Sequence, residues 1–301
     1  MADESGAKGY SGTAERFPGE LGIFAGLIIP ESLLQTLSQT ALALQVRFAN
    51  GGKFHIADVA PNRQEELRSE VLNVIQTHQL VCVYEAIYVA GFFLWYEKQR
   101  QLIEKVRAER RSPIKISSNL TEESLHDHLF QGLIGKAIAW CEGHYDNNYH
   151  LTVLLDNVDK PILRSFMTGT EELLGGWSYS RPVTGFDPQT KTVVRGRVEG
   201  KVTIPEQFRL SSGKTNVTIA PNGKFEELSI FPDVLSNWLN YYFKEKNKTH
   251  LGVPPNRRAT LNGFPLRDRI FGFSDDCQSP PVSERLFCHP NVVQEGRTIQ
   301  T

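Results

Sequence analysis

The chain has 301 residues, enough for one large domain with an extension, and 40% of them are hydrophobic, enough for a sizeable core. Its 33 basic and 34 acidic residues leave a formal charge of -1, which excludes a global basic field, so any nucleic-acid binding must be local. The longest apolar run, 80–96, contains Glu85 and is short for a membrane span, so we expect no membrane partner.

The apolar run at residues 22–29 predicts a buried strand that ends at Pro30. Helical spacing of apolar residues predicts six helices, over 33–44, 63–78, 89–111, 120–142, 159–174 and 231–246. Two further strands are predicted at 80–84 and 151–155, and the alternation over 192–204 predicts half-exposed strands or a hairpin. This alternation indicates a mixed α/β domain.

After Lys248 the composition changes, because prolines and arginines follow one another with little periodicity. This pattern predicts an irregular C-terminal extension over 248–301. The four cysteines are widely spread, and the first residues show no secretory pattern. We therefore expect reduced thiols and a cytoplasmic protein.

Three acidic positions occur in an ordered series of short motifs. Asp3-Glu4-Ser5-Gly6 is followed by the strand that contains Ala25-Gly26, Asp156 ends the strand 151–155, and Asp233 opens the last helix. In this order the motifs resemble the family catalogued as "domain of unknown function 3800", whose members open on an Asp-Glu-Ser-Gly motif. The resemblance covers 1–247 and implies a ribonuclease H-like domain, with a mixed sheet flanked by helices.

The resemblance also implies where the acids meet. In a ribonuclease H-like sheet the first strand runs beside the later acid-bearing strand, and the closing helix brings its first turn over their ends. Asp3, Asp156 and Asp233 would then be catalytic, and with Glu4 they would bind a metal ion. Phosphodiester hydrolysis needs hard cations such as Mg²⁺ or Mn²⁺ held by carboxylate oxygens. His55 and Asp58 are lower-ranked candidates for a further ligand.

The chain departs from the family pattern at the first strand. Family members have several apolar residues before the motif, whereas only Met1 and Ala2 precede Asp3 here. Either the start of the chain is placed too late or this copy lacks part of its first strand, and Ser5 and Gly6 are expected to shape the turn after that strand. Pro232 precedes Asp233 where the family has alanine, which is compatible with the first turn of a helix.

Each acidic residue also has a structural interpretation. Asp3 and Glu4 could belong to a solvated terminus, and Asp156 could cap the helix that follows it. Asp233 could simply be favourable negative charge in the first turn of a helix. The sequence leaves both interpretations open.

Other motifs argue against other classes of site. The stretch 211–215 imitates the end of a phosphate loop, but Phe208 replaces its first glycine, so we expect no nucleotide cofactor. Cys277 and Cys288-His289 lack the paired spacing of a zinc site. His126 and His128 are spaced so that they lie on different helix faces, which argues against a shared metal.

Three basic clusters could follow a phosphate backbone, although such clusters are also common on solvated faces. They are Arg107-Arg110-Arg111-Lys115, Arg195-Arg197-Lys201, and Arg257-Arg258 with Arg267-Arg269. Phe264, Phe271 and Phe273 could stack on a single strand or pin the extension to the core.

Taken with the resemblance, these features predict a metal-dependent nuclease or phosphoesterase, a hydrolase that acts on RNA or DNA. The alternative is a non-catalytic binding or scaffold protein on the same fold, for example in a defence or mobile-element system. A third hypothesis is a regulatory or toxin-like partner of another protein.

Overall fold

A computed structural model describes residues 1–7, 15–49, 54–109, 125–156, 158–175, 177–202, 215–221, 223, 225–249, 261 and 263–271. The strands are β1 (Ala2–Gly6), β2 (Leu21–Ile28), β3 (Val81–Tyr88), β4 (Tyr149–Leu155), β5 (Trp177–Asp187), β6 (Thr192–Val202) and β7 (Thr215–Pro221). The α-helices are α1 (Leu34–Phe48), α2 (Pro61–Thr77), α3 (Val89–Glu109), α4 (Leu125–His144), α5 (Lys160–Gly175) and α6 (Ile230–Thr249). Short 3-10 helices cover Glu31–Leu33, Ile56–Asp58, Glu226–Ser229 and Arg267–Arg269.

Five strands form one mixed sheet in the order β3-β2-β1-β4-β7. β1 is antiparallel to β2, and β2 is antiparallel to β3. β4 is parallel to both β1 and β7. The predicted α/β class, with a mixed sheet flanked by helices, is therefore confirmed.

Both faces of this sheet are covered by helices. Ile23, Ala25 and Leu27 of β2 pack in one core with residues of α1, α2 and α6, whereas Phe24 packs in a second core with residues of α4. A strand buried on both faces carries apolar residues at successive positions, because alternate side chains enter different cores. This explains the unbroken apolar run at 22–29.

The first strand differs from its prediction. β1 is formed by the Asp3-Glu4-Ser5-Gly6 motif itself, and its five residues pair with Gly22–Gly26 of β2. Ser5 therefore belongs to the strand and not to the turn after it, whereas Gly6 ends the strand. Gly6 has a φ of 82°, and a Cβ there would clash with the carbonyl oxygen of Leu21, so the strand ends at a position suited to glycine.

The alternation over 192–204 corresponds to β6, which forms a two-stranded hairpin with β5. The sequence pattern did not indicate β5 or β7. β7 is an edge strand in which only Ile219 is buried. Such a strand carries too few apolar residues to stand out by periodicity.

Described residues of the C-terminal extension pack against the domain. The ring of Phe264 is buried, with its centroid 5.1 Å from those of Trp238 and Tyr242. The amide of Phe271 donates a hydrogen bond of 2.8 Å to the carbonyl of Cys82 in β3. Phe264 therefore pins the extension to the core, whereas Phe273 lies outside the described residues. The expected boundary at 247 falls within α6, which continues to Thr249.

Cys82 and Cys141 are free and buried, whereas Cys277 and Cys288 lie outside the described residues. Among the helices of the described ranges, none is long and apolar enough to cross a membrane.

Candidate acidic site

Asp3 lies on β1, on the sheet face that α6 covers. Its register partner is Ala25, which belongs to the core beneath α6. Ser5, two residues along and therefore on the same face, accepts a hydrogen bond of 3.0 Å from Nδ2 of Asn240 in α6. The strand thus directs Asp3 towards the side of the sheet where the last helix packs.

Asp156 follows directly after β4 and lies beside Asp3. Ala2 of β1 pairs in parallel with Leu155 of β4, so Asp3 and Asp156 each directly follow one of these two paired residues. Neighbouring strands lie roughly 4.8 Å apart. The charge of Asp156 raises the pKa of both Asp3 and Asp233, as expected for three acids in one neighbourhood.

Asp233 reaches the same region from the first turn of α6. It is only 6% exposed, and its Oδ2 accepts a hydrogen bond of 2.7 Å from the backbone N–H of Ile56. Burial raises the pKa of Asp233, although the hydrogen bonds from Ile56 and His55 act in the opposite direction. Asp233 therefore serves two purposes, because it lies near the other acids and also fixes the segment around Ile56.

The pKa of Asp3 is raised to about 8. Burial is the largest cause, followed by the charges of Glu4 and Asp233, and the charge of Asp156 adds to them. Three neighbouring carboxylates therefore act on the pKa of Asp3 in the same direction, and the basic side chain of His55 responds in turn to the charge of Asp3.

His55 is the neighbour that the sequence ranked too low. Its Nδ1 lies 3.0 Å from Oδ1 and 3.1 Å from Oδ2 of Asp233, and 61% of its side chain is exposed. Partial burial lowers the pKa of His55, but the hydrogen bond to Asp233 and the charges of Asp233, Asp3 and Asp58 outweigh it, so the pKa is raised. Because a carboxylate only accepts hydrogen bonds, the contact favours a hydrogen on Nδ1.

Glu4 is placed apart from the three aspartates. Successive side chains of a strand point to opposite faces, and Glu4 pairs with Phe24, which belongs to the core beneath α4. Its Oε2 lies 3.9 Å from Nε2 of His126, whose ring stacks on Phe24. Of the predicted metal ligands, Glu4 therefore lies on the opposite side of the sheet from Asp3, and it does not belong to the candidate site.

The donor set suits a hard cation, because carboxylate oxygens are the ligands that Mg²⁺ and Mn²⁺ prefer. The described side chains, however, form no group of three or more His, Cys, Asp or Glu residues arranged to hold a metal ion. Both oxygens of Asp233 already contact His55 or Ile56. Binding of one ion by all three aspartates would therefore require their side chains to rearrange.

Comparison with known proteins gives no family for this chain. No protein-family model matches it, and neither the curated proteins nor the solved structures include a significant match. Function must therefore be argued from the acidic site itself.

Proposed function

We propose that this protein is a metal-dependent nuclease or phosphoesterase of ribonuclease H-like type that acts on RNA or DNA. Asp3, Asp156 and Asp233 would hold Mg²⁺ or Mn²⁺ at one end of the central sheet. The observation that carries the proposal is that three acids from three separate elements share one neighbourhood, where the pKa of Asp3 rises to about 8.

The topology supports this proposal. The resemblance drawn from the sequence implies that the first strand lies beside a later strand ending in an acid, with the last helix over both. β1 is parallel to β4, Asp156 follows β4, and Asp233 lies in the first turn of α6. Asp156 and Asp233, which follow Asp3 by 153 and 230 positions in the sequence, are thereby brought near it.

The energetics point in the same direction. Burying a carboxylate beside other carboxylates is unfavourable, and such arrangements are most often found where a site binds a cation or moves a proton. A bound divalent cation would neutralise the acids, activate water and stabilise the leaving oxygen of a phosphodiester. Asp3 and Asp156 are the residues with the clearest ligand role, because Asp233 is held by Ile56 and His55.

His55 and Asp233 would handle protons. With a hydrogen on Nδ1 directed at Asp233, the Nε2 atom of His55 can accept or donate a proton in a reaction. The charges of Asp3 and Asp58 act on the pKa of His55, which places the imidazole beside the acids. Asp233 would orient this ring.

One observation favours the alternative of a non-catalytic binding protein on the same fold. Asp233 is fully engaged by His55 and Ile56, and the described side chains form no preassembled metal group. Under this alternative Asp233 is a structural anchor for the segment 54–58.

Cleavage of mixed RNA and DNA substrates with Mg²⁺ or Mn²⁺ tests the proposal. Asp156→Asn and Asp156→Ala should lose at least 100-fold in rate, on the order of what one electrostatic group contributes. Asp159→Asn is the matched control, since it removes the same charge from an exposed position three residues away. Equal rates for wild type and Asp156→Ala would sink the catalytic assignment.

A binding measurement separates the metal from the chemistry. Mn²⁺ titration followed by electron paramagnetic resonance should show a site in the wild type and in Asp159→Asn but not in the double variant Asp3→Asn/Asp156→Asn. Binding that persists unchanged in the double variant would place the metal elsewhere. Metal binding without cleavage would favour the non-catalytic alternative.

A further inference from the structure

The hairpin of β5 and β6 stands outside the central sheet. Its eleven paired positions join Trp177 to Val202 at one end and Asp187 to Thr192 at the other. Val193 and Val194 point to opposite faces, yet they are 60% and 45% exposed. Both faces of the two-stranded ribbon are therefore accessible to solvent near its tip.

One face of the ribbon combines an aromatic ring with two arginines. Partners in an antiparallel register share a face, so Phe186 lies with Val193, Thr184 with Arg195, and Pro182 with Arg197. Arg195 and Arg197 are exposed, and Phe186 is 48% exposed. In the described ranges neither arginine makes an ion pair, so both guanidinium groups face solvent.

The hairpin is basic although the whole chain is nearly neutral. Residues 177–202 contain five basic and two acidic residues, against a formal charge of -1 for all 301 residues. Of the two acids, Glu199 is exposed on the face of the two arginines, and Asp187 is used in the turn, where it accepts hydrogen bonds from the N–H of Gln189 and the hydroxyl of Thr190. The hydrogen bond from Gln189 lowers the pKa of Asp187. The charge of the ribbon thus complements a polyanion.

We propose that the β5–β6 hairpin binds the phosphate backbone of duplex DNA through Arg195 and Arg197, with the ribbon lying in the major groove. This inference rests on the proposed function, for which it names the substrate class. The major groove of B-DNA is about 12 Å wide and admits a two-stranded ribbon, whereas that of duplex RNA is too narrow. A single-stranded partner would need several stacking surfaces, and this face offers only Phe186 among its described residues.

Salt-dependent binding tests the inference without any need for cleavage. The full chain with Asp156→Asn is titrated with a fluorescent 25-base-pair duplex in a chelating buffer at several salt concentrations. Arg195→Gln/Arg197→Gln should bind on the order of 30-fold more weakly at 0.15 M salt, and the slope of log K against log salt should fall by about 2. Arg195→Lys/Arg197→Lys should keep the slope, because it keeps both charges.

The matched control is Lys98→Gln/Lys105→Gln, which removes the same charge from exposed positions on α3. An unchanged slope in the arginine variant, or an equal loss in the α3 control, would overturn the inference. So would equal or tighter binding of single-stranded DNA or duplex RNA of the same length. A chain that is a dimer by light scattering and becomes a monomer in the arginine variant would show that the hairpin binds a second copy instead.

The two proposals fail in different ways. If the wild type cleaves no substrate but binds the duplex with the expected salt dependence, the nuclease assignment is refuted and the hairpin assignment stands. Absence of hairpin-dependent binding, with metal-dependent cleavage intact, would do the reverse. Circular dichroism of each variant confirms that the chain is folded before either result is interpreted.

Discussion

Each face of the central sheet carries a carboxylate, buried on one face and half-buried on the other, and the surroundings of the two are opposite. Glu85 of β3 lies on the α4 face, where its Oε2 is 2.7 Å from Nζ of Lys136. That ammonium group also donates a hydrogen bond of 2.7 Å to the carbonyl of Tyr84. Asp3, on the α6 face, has acids for neighbours and a pKa of about 8.

The difference separates a structural acid from a candidate functional one. A buried acid that is paired with a base, as Glu85 is with Lys136, is a common structural arrangement. An acid that is partly desolvated among other acids lowers stability, and proteins keep such arrangements where activity requires them. The comparison predicts that neutralising Lys136, the partner of Glu85, lowers the free energy of unfolding. Neutralising Asp3 should raise it.

The largest effect is expected at Lys136. Lys136→Met leaves Glu85 buried without its base, so the free energy of unfolding should fall by about 3–5 kcal/mol. Urea denaturation measures it. The double variant Glu85→Leu/Lys136→Met removes both charges and should lose much less. If the single variant lost less than about 1 kcal/mol, Glu85 would have access to water, and the contrast between the two faces would fail.

The opposite sign is expected at Asp3. In the unfolded chain an aspartate titrates near 3.8, and in the folded protein Asp3 titrates near 8. Between these values the folded state binds more protons, so the free energy of unfolding falls as the pH rises from about 4 to about 8. In metal-free buffer at pH 8, Asp3→Asn should therefore raise the free energy of unfolding by roughly 1–3 kcal/mol.

Thermal melts of Asp3→Asn at pH 5, 6.5 and 8 measure this effect, with Asp159→Asn as the exposed control. The gain should grow with pH and disappear when Mn²⁺ is added, because the metal stabilises only the wild type. A destabilised Asp3→Asn at pH 8 would identify Asp3 as a structural residue.

The smallest effect on stability is expected at His55, whose side chain is 61% exposed. His55→Gln should cost about 1 kcal/mol or less, since exposed ion pairs contribute little. Because the pKa of His55 is raised, its contribution is present below pH 6.5 and is lost as the pH rises through the raised value. The melting temperature of His55→Gln should therefore fall below that of the wild type at pH 6 and differ from it much less at pH 9.

His55→Gln also tests the proposed catalytic role of His55. If His55 transfers a proton, His55→Gln should lower the cleavage rate by about 10²–10⁴-fold while Mn²⁺ binding persists. His78→Gln, at the end of α2, is the control. A rate within twofold of wild type would remove His55 from the proposed mechanism.

Much of the sheet could be predicted because apolar runs mark its buried strands. The run that ends at Asp156 and the helix that opens near Asp233 both follow from local patterns, and these patterns also placed two of the three acids at element ends. β5 was missed because Pro182 and Gly185 interrupt its strand pattern, whereas the alternation of β6 is unbroken by proline. β7 was missed because an edge strand needs few apolar residues.

The details of the site depended on information that local patterns do not contain. His55 meets Asp233 across 178 positions of sequence, and no spacing rule links them. The position of Glu4 could have been inferred from alternation, but only if the motif had been interpreted as the strand itself. The family pattern placed a strand ahead of the motif, and this expectation displaced the simpler interpretation.

The contact between the C-terminal extension and β3 has a consequence for solubility. β3 is an edge strand, and an exposed edge offers free N–H and C=O groups to a strand of another molecule. Ile270 forms a parallel bridge with Cys82, and the amide of Phe271 bonds to the same residue. The extension thus occupies the beginning of that edge and blocks there the edge-to-edge pairing of sheets that leads to aggregation.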